Sequence, residues 1–158
     1  MTDAAERLEA ARAVLAKVED DLGLRVGGTG LRPGGVLEVP RGCGARLRAA
    51  AALTPEGGWA AFLGVRDVGW EAAGVFGLDL DRVLVVADPG PLAPEAAALL
   101  IEGVDLLCVG ELSLSRIQQR RLAARARSEG TTILVESPWV GLSRRWAGDA
   151  PVLARGVS

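Results

Sequence analysis

The chain has 158 residues and contains no histidine and no tyrosine, with only two cysteines and one methionine. Of its 18 basic residues only Lys17 is a lysine; the rest are arginine. Without histidine there is no Ser-His-Asp triad, no Cys-His pair, no HExxH metal site and no imidazole general base. Two cysteines cannot build a four-thiolate zinc site. A lone lysine near the N-terminus leaves none for a phosphate loop and little scope for Schiff-base chemistry. Carboxylate chemistry, a binding module, or a protein that has lost an enzyme site remain.

What is present suffices for a single globular domain. The sequence is 49% hydrophobic and 24% charged, enough apolar material for a sizeable core. Its net charge is −2 and its pI about 5.3, so the surface as a whole does not attract nucleic acid or anionic lipid. Charge is uneven along the chain: residues 80–110 carry a net −4 and residues 111–158 a net +4. No apolar run approaches the ~18 residues of a membrane span. The polar, acidic start does not read as a signal peptide. Cys43 and Cys108 sit in unrelated contexts and read as reduced cytosolic thiols.

Residues 3–22 read as an amphipathic helix, with Leu8, Ala11, Leu15, Val18 and Leu22 on one stripe. Thr2 or Asp3 caps it and Gly23 stops it. Residues 1–24 are thus assigned to an N-terminal helix, 25–34 to a glycine-rich linker and 35–158 to a core. Within the core, apolar strands at Val36–Val39, Trp59–Val65, Arg82–Ala87, Asp105–Val109 and Thr131–Val135 alternate with helices. The helices are Arg46–Leu53, Glu71–Phe76, Pro94–Glu102 and Ser115–Glu129, the last with a Ser115/Gln118 capping box and Gly130 as its stop. Segments around Trp146 and Val152–Arg155 add edge strands. Strands apolar throughout, alternating with helices, imply an α/β fold with a mostly parallel sheet covered on both faces. Ligands in such folds bind beyond the carboxyl ends of the strands.

The first strand-loop-helix is where a phosphate loop belongs. A working loop needs Gly-x-x-x-x-Gly-Lys-Ser/Thr, so that backbone N–H groups cradle the phosphates, lysine neutralises charge and the hydroxyl holds magnesium. The segment here runs Pro40, Arg41, Gly42, Cys43, Gly44, Ala45, Arg46. With Gly44 as the second glycine, Ala45 stands at the lysine and Arg46 at the hydroxyl, while Val39 or Pro40 replaces the first glycine.

GLRPGGVLEV, FGLDLDRVLVV and GVDLLCVGE, in this order and spacing, resemble the RecA recombinase core over roughly residues 30–138. The resemblance implies a RecA-like sheet with helices on both faces. It puts the Walker B aspartate on Gly110 and the catalytic glutamate on Arg66, with Asp67 one step later. Phosphoryl transfer depends on positioning and charge stabilisation, so the loss of lysine, metal ligand and acid together implies a pseudo-ATPase. The RecA DNA-binding loops also have no counterpart. A degenerate core of this kind resembles the ImuA/SulA group of SOS-response proteins, in particular the short actinobacterial-type ImuA. That resemblance implies a non-catalytic, cytoplasmic, nucleoid-associated accessory factor in error-prone translesion synthesis. Its partners would be an ImuB-type Y-family polymerase homologue and, through it, an error-prone replicative polymerase. Two alternatives stand beside it: a SulA-like division inhibitor that binds FtsZ, and a weak nucleotide-binding protein or ATPase that uses only the loop backbone. No cofactor, no metal and no strong DNA binding are expected.

Several features carry two readings. The Pro40–Leu47 loop is an inert turn, or Gly42, Cys43 and Gly44 hold an anion with help from Arg46 or Arg48. The N-terminal helix packs on its own domain or docks a neighbour, including a second copy. Arg116, Arg120 and Arg127 lie within about 40° on one helix face, either solvated or a partner surface, with Arg121 and Arg125 on the far side. Trp139, Arg144, Arg145 and Trp146 form an interface anchor, or Trp139 is tucked in as a loop-closing residue. Trp59 and Trp70 are assigned to the core. Asp67, Asp88 and Glu111 lie near strand ends without metal-ligand spacing. Cys108 reads as a small apolar core residue.

Overall fold

A computed structural model describes residues 34–148. The assigned helix stripe of Leu8, Ala11, Leu15, Val18 and Leu22, most of the linker, and the strand assigned to Val152–Arg155 lie outside the described residues. The core is a six-stranded sheet, parallel throughout, in the order β3-β2-β4-β5-β1-β6. The strands are β1 Gly35–Glu38, β2 Ala60–Leu63, β3 Val83–Val86, β4 Leu106–Val109, β5 Thr132–Val135 and β6 Ser143–Arg145. The helices are α1 Cys43–Leu53, α2 Trp70–Val75, α3 Ala93–Gly103 and α4 Arg116–Glu129.

Alternation along the strands divides the core into two layers. Val36, Leu63, Leu107, Ile133 and Val135 face α3 and α4, packing on Ala97, Ile101, Leu122 and Ala126. The alternate residues, among them Phe62, Leu106 and Leu134, are also fully buried, on the face of α1 and α2. There the Trp70 ring meets Phe62 edge-on, 5.3 Å between centroids. Short side chains in α1, such as Ala49 and Ala50, let that helix sit close to the sheet. The Ser115/Gln118 capping box forms as expected, and Gly130 closes α4 with φ 75° in the left-handed region. Buried Thr131 donates from its hydroxyl to the Ile101 carbonyl at 2.8 Å, tying the start of β5 to the C-terminal end of α3.

Two expectations need correction, and the edge strand expected around Trp146 forms. The apolar run Arg82–Ala87 is not covered on both faces: β3 is an outer strand, and Leu84 and Val85 are 43% and 48% exposed. Trp59 is outside the core, because its position precedes β2 at the open bottom of the sheet, where its N–H donates to Asp105. The strand near Trp146 is Ser143–Arg145; Trp146 follows it and continues the pairing with β1 through an N–H bond to the Glu38 carbonyl.

The connection from β5 to β6 is unusual. Parallel strands generally need a dozen or more residues to cross over. Here Glu136–Leu142 passes β1 without a helix. Trp139 fills the space a helix would occupy and is only 5% exposed, joining the α3/α4 core layer. Ser143 secures the bend: its Oγ accepts from the Trp139 N–H at 2.8 Å and donates to Glu38 at 2.5 Å. Trp139 is therefore the tucked, loop-closing residue and not a surface anchor.

Candidate functional site

The carboxyl ends of β1, β2, β4 and β5 meet where a RecA-like protein handles phosphate. The chain after β1 turns through Gly42, whose φ of 131° and ψ of 141° suit glycine, and enters α1 three residues earlier than expected, at Cys43. The N-terminal end of α1 offers unsatisfied backbone N–H groups and a partial positive charge. The protein fills this position itself. Glu136, the first residue after β5, accepts from the Gly42 N–H through Oε2 at 2.9 Å and from Arg46 Nη2 through Oε1 at 2.6 Å. Both carboxylate oxygens are engaged, and the pair is mostly shielded, with side-chain exposures of 15% for Arg46 and 21% for Glu136. Arg41 braces the same loop by donating to Ser137 Oγ at 3.3 Å.

Arg46 is thus not a free arm for phosphate but half of an internal ion pair. Its Nε is buried without a hydrogen-bond partner among the described residues, so Glu136 carries much of the compensation for its charge. Arg48 lies over the Phe76 ring at 5.4 Å, with its Nη2 close to Gly44. Ala45, at the position of the missing lysine, carries neither charge nor donor on its side chain.

Gly110, at the Walker B position, shows a different kind of closure. Its N–H donates to the Leu63 carbonyl at 2.8 Å, extending the β2–β4 ladder past its ends. A Cβ at Gly110 would overlap the Gly64 carbonyl. Gly64 has φ +70°, and a Cβ there would lie 2.5 Å from Leu112 Cδ2. The two glycines let two backbones touch where a metal-ligating carboxylate would have to stand. A side chain does not fit at 110 without moving the strand ends.

This corner opens on a cleft of about 840 Å³ bordered by the loops after β2, β3 and β4: Arg46, Gly110 and Glu136 line it together with Arg66, Asp67, Asp88, Glu111 and Ser113. Arg66, which the RecA resemblance puts at the catalytic-acid position, faces Asp88 at 3.5 Å, both side chains well exposed. Such a pair contributes little to stability. Asp67, Asp88 and Glu111 border the same cleft, but no grouping of three metal-ligating side chains occurs among the described residues. Cys108 is buried in β4, and burial pushes its thiol up to about 12, which makes it inert. Cys43 and Cys108 are both free thiols.

The remaining sequence candidates spread over the surface. Arg116, Arg120 and Arg127 are exposed on α4, while Arg125 on the opposite side pairs with Glu102 of α3. Arg144 and Arg145 are exposed on β6, and Trp146 is half-buried. The structure does not bring Trp139 into this basic surface. Glu136 is the residue that sequence reasoning missed. Its signal was slight: a carboxylate directly after a fully apolar strand, at the end of the sheet where ligands bind.

No helix among the described residues is long and apolar enough to cross a membrane. The solved structure of SulA from Pseudomonas aeruginosa is similar over 64% of this chain and 96% of that one, with a TM-score of 0.49 and 16% identity. Uncharacterized protein Rv3395c of Mycobacterium tuberculosis is 38% identical over 159 aligned positions, covering 93% of this chain and 78% of the relative. Residues 25–141 match the MT3502 N-terminal domain, and the chain belongs to that family.

Proposed function

We propose that this protein is a non-catalytic, RecA-like accessory factor that works through protein contacts in DNA-damage-induced, error-prone synthesis. The observation that carries the non-catalytic part is the Glu136 carboxylate bound to the Gly42 N–H and to Arg46, where a phosphate would have to bind. An incoming phosphate would have to displace a shielded carboxylate from both partners and then meet its negative charge. The closed contact of Gly110 with Gly64 supports the same reading, since it leaves no place for a magnesium-binding side chain. The assignment to translesion synthesis rests on the sequence resemblance to the short ImuA group.

The partner in this reading is an ImuB-type Y-family polymerase homologue. The exposed arginines of α4 and β6 give it a basic surface to meet. Affinity purification of the tagged full chain from DNA-damaged cells tests the assignment. Co-purification of the polymerase homologue is the expected result, weakened when Arg116 and Arg120 are both replaced by glutamate. Recovery of FtsZ in its place would overturn the translesion reading while leaving the non-catalytic one standing.

A further inference from the structure

The two outer strands of the sheet differ sharply. Strand β6 reads Ser-Arg-Arg, short and charged, in keeping with an edge protected against pairing. Strand β3 reads Val-Leu-Val-Val, with no charge, proline or bulge inside it. Leu84 and Val85 are nearly half exposed, and Leu80, in the turn that leads into β3, adds further exposed apolar surface. No described strand pairs with the outer side of β3.

We propose that β3 is a self-pairing edge, joining two copies of this chain through an antiparallel β3–β3 contact centred on Val85. The outward backbone groups and the flanking charges together select this register. The Val86 carbonyl accepts from the Gly64 N–H at 2.8 Å and so faces β2. Backbone groups alternate in direction along a strand, so within β3 the N–H and C=O of Val83 and Val85 face outward. In an antiparallel pair, directly opposed residues must both present these groups. Centring on Val85 sets outward-facing Val85 against its own copy and brings Val83 to Ala87 of the second copy, the first residue beyond β3.

Just beyond the strand at either end, Arg82, the last residue of a 3-10 turn, comes to the same end of the join as Asp88 of the second copy, and by symmetry Asp88 meets Arg82, two complementary charge pairs flanking the contact. Moving the centre to Leu84 puts Leu80 opposite Asp88 and Arg82 opposite Val86. Moving it to Val86 puts Pro89, which has no N–H, opposite Val83. The present partners of these charges do not compete strongly: Arg82 lies 3.4 Å from Asp79 and donates to the Gly57 carbonyl at 3.0 Å, and Asp88 lies 3.5 Å from Arg66, all at exposed positions.

Analytical ultracentrifugation of the full chain tests the proposal. The expected mass at high concentration is twice the 16.4 kDa of one chain. Val85→Pro removes an outward N–H and no β2–β3 bond, and should leave a monomer with an unchanged circular-dichroism spectrum. Arg82→Asp should weaken dimerisation at least tenfold, and Arg82→Asp with Asp88→Arg should restore it. Register is read by cross-linking in a Cys43→Ser background. Opposed Val85→Cys residues, about 5.5 Å apart between Cα atoms, lie within disulfide reach, whereas Leu84→Cys does not face its copy. A single-chain mass at every concentration would overturn the proposal. So would a dimer indifferent to Val85→Pro, a cross-link at 84 instead of 85, or a dimer that forms only once residues 1–33 are removed, which would give the edge to the chain's own N-terminal segment.

Discussion

The phosphate-loop corner and the β3 edge belong to one sheet and treat their polar groups in opposite ways. At the corner the chain supplies its own partners: Glu136 takes the Gly42 N–H and the Arg46 guanidinium, and Gly110 closes on Gly64. At the edge, backbone groups and apolar side chains are turned outward with no described partner. The difference teaches that one sheet can pair its polar groups internally at a strand end and turn them outward at an edge, and the proposed role in protein contacts draws on the second.

The corner can be broken most severely at Gly110. Gly110→Asp, which would restore the Walker B residue by identity, drives a side chain into the Gly64 backbone and leaves a carboxylate without a partner. The expected cost is about 3 kcal/mol or more, a large share of the ~5–15 kcal/mol that holds a domain together. Urea denaturation should show a collapsed midpoint or no soluble protein. A midpoint near that of the parent would show the strand ends to be open after all.

Glu136→Ala removes the partner of a shielded arginine and should cost about 2 kcal/mol, read in the same experiment. Glu136→Gln, which keeps a hydrogen-bonding side chain, should cost less. Equal stability of Glu136→Ala and the parent would mean that the corner is not internally satisfied.

Cys108 sharpens the contrast between covered and open parts of the sheet. Burial raises its pKa from 9.0 to about 12, so it carries almost no thiolate at pH 8 and should resist thiol reagents until the protein unfolds. The more accessible Cys43 should react first. The sign for stability follows from linkage: above pH 9 the unfolded chain gives up this proton while the folded chain keeps it. The contribution of Cys108 is therefore complete below pH 9 and declines as pH rises from 9 towards 12. The smallest effect belongs to the protected edge. Arg144→Ala, at an exposed position on β6, should change stability by no more than about 0.5 kcal/mol and leave the assembly state unaltered.

Much of the fold was legible along the chain. Apolar strands alternating with helices announce a parallel α/β sheet, and Ser115-x-x-Gln118 and Gly130 mark both ends of α4. Strand order was less legible, because Val83–Val86 is as apolar at an edge as Leu106–Val109 is at the centre. Composition does not distinguish a strand buried by its own helices from one left for another chain. Ala45, Gly110 and Arg66 stand out in the sequence only against the RecA pattern that the chain resembles. What replaced the missing charges could not, since Arg46 and Glu136 are separated by 90 positions and only folding brings them together. Trp139 carried two readings for the same reason: a tryptophan in a polar loop looks alike whether it closes that loop or projects from it.

In the proposed function the protein's own Glu136 carboxylate stands where a phosphate would bind. Isothermal titration of the full chain with ATP, with and without magnesium, tests this most directly. The expected result is no saturable heat in either titration. Saturable binding at micromolar ATP that strengthens with magnesium would contradict it.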